Sequence, residues 1–144
     1  MKGLFIILTL LIIDAQYRTI EYNGSEVKTT YTADTKFYGE YKGRKGGFLK
    51  LNEDGTGTYK YDVFGFAPAS CKKQAIDIEW GFLVDENNEI VSFKREYGIS
   101  YPILLKSVSE TKFQGCQKEV MLDFIMEYKS GQLGVSSSDD WTKK

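Results

Sequence analysis

The sequence predicts an all-β domain whose strands form an antiparallel meander that closes as a barrel or packs as a β-sandwich. Three observations predict this fold class. Aromatic residues are plentiful, with ten Tyr, nine Phe and two Trp, and these residue types favour strands. Short runs alternate between apolar and polar residues and are separated by Asn, Asp and Gly, as expected of strands joined by turns. The length of 144 residues fits a single domain.

The first fifteen residues have the pattern of a secretory signal peptide. Lys2 supplies a positive charge, an apolar run spans Leu4–Ile13, and Ala15 is a small residue that suits a signal peptidase. The run is too short to cross a membrane, which takes about 20 apolar residues. We therefore expect removal of this segment, a single β-barrel domain at residues 16–144, and a periplasmic or secreted location. No cysteine lies near the cut to hold a lipid anchor.

Alternating runs and turn signals predict about eight to ten strands in the mature chain. Asn23-Gly24 joins the first two, because Asn-Gly is the strongest signal for a two-residue hairpin. Ser130-Gly131 joins the last two, and a run at Thr111–Cys116 is a shorter candidate. The main predicted strands are, in chain order, Tyr17–Tyr22, Glu26–Thr32, Lys36–Lys42, Gly46–Leu51, Gly57–Val63, Gln74–Asp85, Ile90–Tyr97, Ser100–Ser107, Val120–Lys129 and Gln132–Trp141.

Alternation also predicts which side chains face the interior, because successive side chains of a strand point to opposite faces. The run Gln74–Asp85 has one apolar row. The run Val120–Lys129 has another, with Asp123 and Glu127 on the opposite, outward face. If these rows line a barrel, they could contact a small apolar or amphipathic ligand. The residues predicted to do so are Trp80, Phe82, Phe93, Arg95 and Phe124.

Arg95 has two possible interpretations. It shares the row of Phe93 and Tyr97, and a guanidinium inside a barrel needs a partner, such as the anionic head group of an apolar ligand. Alternatively, Arg95 lies at the barrel rim and reaches water, because long charged side chains extend towards solvent. Trp80 and the tyrosines have the same ambiguity between core packing and ligand contact.

The stretch "LKLNEDGTGTYKY" at Leu49–Tyr61 raises the question of a calcium loop. If Gly55 is the sixth residue of an EF-hand loop, the first ligand position is Lys50 and the twelfth is Tyr61. A lysine repels the cation, and a phenol cannot replace the bidentate carboxylate. The stretch therefore predicts a hairpin around Asp54-Gly55, and we expect no metal site and no cofactor.

The chain contains no histidine, which is the most frequent general acid–base residue. The common Ser–His and Cys–His nucleophile pairs therefore cannot form. A pair of carboxylates could still hydrolyse glycosides, with Asp123, Glu127 and Asp139 as the candidates. Such carboxylates are common on solvated surfaces. We predict a protein that is not an enzyme, with a carboxylate-dependent hydrolase as a less favoured alternative.

The two cysteines, Cys71 and Cys116, are predicted to form a disulfide. A secreted chain folds in an oxidising compartment, and the chain offers neither a CxxC pair nor a His to complete a zinc site. Closing a loop of this length stabilises a fold by roughly 4 kcal/mol in the chain-entropy model. An intact mass about 2 Da below the reduced value supports the bridge, and two alkylatable thiols would contradict it.

The charge distribution argues against one class of partner. The formal net charge is −1, and the chain has no basic field of the kind that attracts nucleic acid. After removal of the signal peptide, no apolar run is long enough to span a membrane as a helix. The expected partners are therefore a small apolar ligand or another protein of the envelope.

One region resembles a known family. The stretch "FYGEYKGRKGGFLKLNEDGTGTYKYD" at Phe37–Asp62 is followed by a Cys and then by "IDIEWGF" at Ile76–Phe82. This combination resembles small secreted lipocalin-like β-barrel proteins of Bacteroidetes, in which such a hairpin and such a strand recur. The resemblance implies a barrel or barrel-like sandwich and supplies no functional residues. Many members carry a lipid-anchor cysteine, which this chain lacks at the predicted cut.

Two binding functions are compatible with this fold. The first is a secreted, non-enzymatic protein that holds a small ligand in the barrel, because an eight-stranded barrel can leave room for one. The second is a protein-interaction or inhibitor module of the envelope that uses the loops Lys42–Gly47 and Phe64–Lys73. Exposed apolar residues often mark interfaces, so the predicted anchor in the second loop consists of Phe64, Phe66 and Pro68.

Overall fold

A computed structural model describes residues 16–43, 45–60, 75–108, 119–135 and 142–144. Within these ranges the regular secondary structure consists of β-strands and a short 3-10 helix at Thr35–Phe37. The described strands all join one antiparallel sheet. They are β1 (Tyr17–Tyr22), β2 (Ser25–Thr30), β3 (Gly39–Lys42), β4 (Phe48–Leu51), β5 (Thr56–Lys60), β6 (Ile76–Leu83), β7 (Phe93–Arg95), β8 (Gly98–Ser107), β9 (Val120–Tyr128), β10 (Leu133–Val135) and β11 (Thr142–Lys143).

Eight of these strands close into an antiparallel barrel. β6 pairs with β5 on one side and with β8 on the other, and β11 pairs with both β10 and β3. The circuit runs through β3, β4, β5, β6, β8, β9, β10 and β11 and returns to β3. The predicted barrel is therefore confirmed. The β-sandwich alternative is wrong, because a sandwich consists of two separate sheets packed face to face.

Large side chains fill the described part of the barrel interior, as an eight-stranded barrel allows. The largest fully buried side chains are Trp80, Tyr41 and Phe82. The Tyr41 hydroxyl donates a hydrogen bond to the carbonyl oxygen of Phe37 (2.7 Å), so this buried polar group is satisfied. The interior cluster consists of Phe37, Tyr41, Leu49, Leu51, Tyr59, Ile76, Ile78, Trp80, Phe82, Ile103, Leu105, Ile125, Leu133 and Val135.

The two ends of the barrel differ. The 3-10 helix lies at one of them, which we call the closed end. There the ring centroid of Phe37 lies 5.1 Å from those of Phe82 and Tyr101, in edge-to-face geometry. The strand directions place the connections β5–β6, β8–β9 and β10–β11 at the opposite end, which we call the far end.

Several predictions fall on residues outside the described ranges. Those residues are 1–15, 44, 61–74, 109–118 and 136–141. The predictions concerned are the signal peptide, the disulfide between Cys71 and Cys116, the anchor residues Phe64, Phe66 and Pro68, the strand Thr111–Cys116, and the carboxylate Asp139.

β1 and β2 form a hairpin on the outside of the barrel. Asn23 and Gly24 both have positive φ (51° and 79°), as a type I′ turn requires, so the predicted hairpin is confirmed. β2 pairs with the last residues of β6, and β1 contacts β9. Ile20 on β1 and Leu104 on β8 are both buried outside the interior cluster. The hairpin therefore covers a second, smaller apolar layer on the outer surface.

The stretch that begins at Leu49 forms the predicted hairpin between β4 and β5. In its turn, Asp54 Oδ1 accepts hydrogen bonds from the main-chain N–H (3.0 Å) and the hydroxyl (2.6 Å) of Thr56. These bonds lower the pKa of Asp54. The carboxylate therefore stabilises the turn itself. Among the residues that the structure describes, no group of three or more His, Cys, Asp or Glu side chains could hold a metal ion.

β9 presents to the interior the face opposite to the predicted one. Ile125 belongs to the interior cluster, Asp123 is 2% exposed, and Met121 packs against the cluster. Phe124 alternates with them and lies on the outer face. The hairpin β1–β2 covers part of that outer face, so apolar residues occur on both sides of β9. The prediction that Asp123 and Glu127 point away from the interior is therefore wrong.

Candidate functional site on the outer face of the barrel

The structure separates the five residues that were predicted to contact a ligand. Trp80 and Phe82 belong to the interior cluster and have no exposed surface. Phe93 is 45% exposed, Arg95 is exposed, and Phe124 is half-buried on the outer face of β9. The expectation that all five line one interior surface is therefore wrong for Phe93, Arg95 and Phe124.

The position of β7 explains where Phe93 and Arg95 lie. β7 is a three-residue strand at the end of the sheet, paired with β8 and outside the barrel circuit. Neither face of such a strand borders the interior. The longer predicted strand Ile90–Tyr97 does not form, because Ile90 makes only an isolated bridge with Val84. The alternation in this run therefore held no information about burial.

Trp80 and Phe82 have structural contacts on several sides. The indole Nε1 of Trp80 donates to the carbonyl oxygen of Thr56 (2.9 Å). Its ring lies 5.6 Å from that of Phe82, at an interplanar angle of 82°. Phe82 also packs against Phe37 at the closed end. These contacts join β5, β6 and the 3-10 helix, so they support the core interpretation of both residues.

Cross-strand register brings side chains of β7, β8 and β9 together on the outside of the barrel. Residues opposite each other in an antiparallel pair point to the same face. Arg95 is opposite Gly98, which is opposite Tyr128, and Tyr97 lies in the turn between β7 and β8. We call this surface the outer aromatic face, and it comprises Phe93, Arg95, Tyr97, Phe124 and Tyr128.

Contacts within the outer aromatic face hold its exposed side chains in place. The ring of Tyr97 lies 6.2 Å from that of Tyr128, at an interplanar angle of 36°. The guanidinium of Arg95 lies 5.5 Å from the ring centroid of Phe93, which is within the range of a cation–π contact. Arg95 Nε also donates to the hydroxyl of Ser100 (3.0 Å), and Ser100 is buried. These side chains therefore contact one another in the absence of a partner.

Exposure distinguishes this surface from an ordinary strand face. Tyr97 is 56% exposed, and together with Phe93 it accounts for two of the four exposed large hydrophobic residues in the described part of the chain. Tyr97 and Tyr128 were not predicted as binding residues. Both belong to rows that the sequence analysis identified, but tyrosines in alternating rows suit core packing equally well. The register of β7 and β9 with β8 shows that these two tyrosines lie on the outer face and not in the core.

A charged cluster lies next to this surface at the closed end. Lys36 forms an ion pair with Glu127, and the hydrogen bond that its ammonium group donates to this carboxylate raises the pKa of Lys36. Burial, followed by the nearby charge of Glu127, raises the pKa of Tyr101. The cluster therefore holds Lys36 as a cation and Tyr101 as a neutral phenol. These properties stabilise the closed end and give no nucleophile or general base.

The carboxylates considered for hydrolysis are poorly placed for that chemistry. Asp123 and Glu127 are four residues apart on one strand, so their Cα atoms are about 13 Å apart at ~3.3 Å per residue. In enzymes that cleave glycosides, the two carboxyl groups themselves are roughly 5–9.5 Å apart, so a pair on this strand would need its two side chains to bend towards each other. Asp123 is buried, and its Oδ1 accepts a hydrogen bond from the main-chain N–H of Phe124 (2.7 Å). Glu127 is already engaged by Lys36.

No family model, curated protein or solved structure matches this chain. The resemblance to small lipocalin-like barrels of Bacteroidetes therefore stays a prediction, whereas the barrel itself follows from the strand pairing. In the part of the chain that the structure describes, no helix is both long and apolar enough to cross a membrane.

Proposed function

We propose that this chain is a secreted, non-enzymatic binding protein that contacts a partner protein through the outer aromatic face. The observation that supports the proposal is the exposure of Phe93 and Tyr97 beside Arg95 on a sheet surface. Aromatic residues and arginine are enriched at protein interfaces and supply most residues whose truncation strongly weakens binding. Exposed apolar clusters on soluble proteins commonly mark such contacts.

The contacts within the outer aromatic face also support the proposed protein contact. Binding costs free energy when flexible side chains become fixed at an interface. Here the Arg95 side chain is already hydrogen-bonded to Ser100, and Tyr97 already packs against Tyr128. The filled barrel beneath them acts as a rigid scaffold. A partner would therefore meet a surface that needs little rearrangement.

A small apolar ligand inside the barrel is the second candidate, and it has less support. The interior cluster contains fourteen side chains that are each at most 4% exposed. Two clefts formed by described residues have volumes of about 310 and 500 Å³. The first shares no residue with this cluster, and the second is bordered by one of its members, Leu133. One lies at the tip of the hairpin β1–β2, and the other lies beside the turn between β9 and β10. The geometry therefore favours the outer surface over the interior.

Secretion remains part of the proposal. It rests on the positive charge of Lys2, the apolar run Leu4–Ile13 and the small residue Ala15. The main-chain N–H of Gln16 donates to the hydroxyl of Thr32 (2.7 Å), and its carbonyl accepts from the N–H of Tyr31 (3.1 Å). Cleavage after Ala15 would leave these contacts in place. The N-terminal sequence of the exported protein tests this, and we expect it to start at Gln16 or Tyr17.

The described residues next to the two possible protein-contact surfaces lie at opposite ends of the barrel. The tip of the β7–β8 hairpin lies at the closed end, whereas Lys42, Lys60 and Ile76, which flank the two loops, lie at the far end. Substitutions at Phe93 and Tyr97 therefore leave these flanking residues unchanged. This separation allows one binding experiment to distinguish between them.

The direct experiment is an affinity capture with matched variants. The purified chain is incubated with envelope or culture extract of the organism that encodes it, and captured proteins are identified by mass spectrometry. We expect a partner that the parent retains and that the double variant Phe93→Ser, Tyr97→Ser loses. Its Kd should rise at least about tenfold, because such anchors contribute most of an interface.

Tyr17→Ser provides the matched control, since Tyr17 is also an exposed aromatic residue (40%) but lies on β1. This control should retain the partner. Equal retention by the double variant and the parent, or equal loss with Tyr17→Ser, would contradict the proposal. Exposed substitutions of this kind usually change stability by about 0.5 kcal/mol or less, so thermal unfolding of each variant checks that folding is intact.

A further inference from the structure

A lysine-lined cleft lies at the closed end of the barrel, beside the turn between β9 and β10. Its volume is about 500 Å³, which is within the usual range for sites that bind small molecules. Lys36, Lys143 and Lys144 line one part of it, and the turn from Ser130 to Leu133 lines another. We call it the lysine cleft. It shares no residue with the outer aromatic face.

The strand pairing positions Lys143 in this cleft. Lys143 is opposite Tyr41 in the pair β11–β3, and its carbonyl oxygen accepts a hydrogen bond from Nε2 of Gln132 (3.0 Å). Its side chain runs beside Gly39 on β3, since a Cβ at Gly39 would lie 3.4 Å from Lys143 Cε, within ordinary van der Waals contact. The Lys143 side chain is therefore held along the barrel end and is only half-exposed.

The charges around the cleft do not cancel. The carboxylate of Glu127 is paired with Lys36, and Asp34 is occupied in part by the main-chain N–H of Lys36 (3.0 Å). Among the described residues, neither Lys143 nor Lys144 forms an ion pair. The described residues that line the cleft therefore include three lysines and no Asp or Glu. A half-buried cation in such a place is stabilised by an anion, and charge-assisted hydrogen bonds to phosphate or carboxylate are the strongest available to it.

From this arrangement we propose that the lysine cleft is a binding site for a small molecule that carries a phosphate or carboxylate group. Lys143 supplies the main charge–charge contact, and Lys144 adds to the positive potential. The hydroxyl of Ser130 accepts a hydrogen bond from the N–H of Gln132 (3.3 Å), so its own hydrogen is available to a ligand oxygen. The ion pair of Lys36 fixes the wall of the site. This inference goes beyond the proposed protein contact and does not depend on it.

Titration of the full mature chain tests the inference. Inorganic phosphate and glutarate are added separately, and amide NMR signals of residues 130–133 are followed at low ionic strength, where screening is weakest. We expect saturable shifts with at least one of the two anions. Saturation with phosphate alone assigns the site to phosphorylated compounds, and saturation with glutarate alone assigns it to carboxylates.

The decisive comparison is between Lys143→Gln and Lys60→Gln. Lys143→Gln should weaken binding about tenfold, the effect of losing one charge-assisted contact. Lys60 lies at the far end on β5, so Lys60→Gln should leave Kd unchanged. Absence of saturable shifts with both anions would overturn the inference. Equal Kd values for the parent and Lys143→Gln, or equal losses in both variants, would also overturn it.

Discussion

At the scale of single residues, Gly55 is the point where the outer hairpin meets the barrel. Its carbonyl oxygen accepts hydrogen bonds from Arg18 Nη1 (2.7 Å) and from the main-chain N–H of Trp80 (3.0 Å). Its φ is +80°. A Cβ at this position would lie 2.6 Å from Cγ of Tyr31 and 2.8 Å from Nη2 of Arg18. Glycine is therefore needed here both for the turn and for the space.

Gly55→Val should destabilise the fold by about 3 kcal/mol. The reasons are the cost of a β-branched residue at positive φ and the overlap with neighbouring side chains. Gly24→Val is the matched control, because Gly24 has nearly the same φ (+79°) but no atom within 4 Å of its added Cβ. Urea unfolding should show the smaller loss for Gly24→Val. Equal losses would mean that the packing around Gly55 contributes nothing.

Ionisation of Tyr41 makes the stability of the fold depend on pH in the alkaline range. Burial raises the pKa of Tyr41 above its ordinary value of 10.0, and the pKa values of Lys36 and Tyr101 are also raised. Above pH 10 the unfolded chain therefore binds fewer protons than the folded chain. The contribution of these groups to stability is complete below about pH 10 and is lost as the pH rises.

Tyr41→Phe should reduce this loss. The variant gives up one hydrogen bond, which costs about 1 kcal/mol near neutral pH. Above pH 10, its free energy of unfolding should fall less steeply than that of the parent, by about 1.4 kcal/mol per pH unit. Urea unfolding at several pH values from 8 to 11.5 measures both effects. Parallel curves over that range would show that Tyr41 does not resist ionisation.

At the scale of elements, Arg18 fastens the hairpin β1–β2 to the barrel. Its guanidinium donates to the Gly55 carbonyl (2.7 Å) and lies 4.5 Å from the ring centroid of Tyr31 and 3.9 Å from Glu79 Oε2. The side chain is 20% exposed. These contacts join β1 to the β4–β5 turn and to β6. The hairpin is therefore held by a few polar contacts in addition to its apolar layer.

Arg18→Ala should cost about 2 kcal/mol, the sum expected for one charged hydrogen bond and one cation–π contact. Hydrogen exchange should show that amides of β1 and β2 lose more protection than those of β8 and β9. Lys28→Ala is the control, because the side chain of Lys28 on β2 contacts Tyr17 and donates an exposed hydrogen bond to Asn88, whereas Arg18 binds the β4–β5 turn. Uniform loss of protection across all strands would contradict a local role for Arg18.

The elements also show what the sequence could predict. The Asn23-Gly24 and Asp54-Gly55 turns were predictable, because both need backbone conformations that few residues adopt. The face of β9 that points to the interior could not be predicted. Both of its faces are partly covered, one by the interior and one by the hairpin, so apolar residues do not mark a single side. The prediction that Phe93 and Arg95 line the interior was wrong for another reason, because β7 lies outside the barrel wall.

At the scale of the whole molecule, the closed barrel was predictable from the number of alternating runs, but its closure depends on β6 pairing with β8 rather than with β7. The 3-10 helix at the closed end was not predicted, because Lys36–Lys42 alternates like a strand. The candidate site could not be predicted without the register of β8 with its neighbouring strands. Only that register places Arg95 and Tyr128 on one surface.

The arrangement of the barrel ends bears on the predicted disulfide as well. The connection that contains Cys71 joins β5 to β6, and the connection that contains Cys116 joins β8 to β9. Both connections start and finish at the far end, and β6 and β8 are neighbours in the barrel. Cys71 and Cys116 themselves lie outside the described residues, so the disulfide stays a prediction that the intact mass of the purified protein tests.

The central claim is that partner binding uses the outer aromatic face, and site-specific photo-cross-linking tests it most directly. A photoreactive phenylalanine analogue is introduced in the native host at position 97, and separately at position 108. Val108 is similarly exposed (50%) but lies at the far end. We predict a discrete protein adduct from position 97 and none from position 108. An adduct from position 108 alone, or none from either position, would contradict the claim.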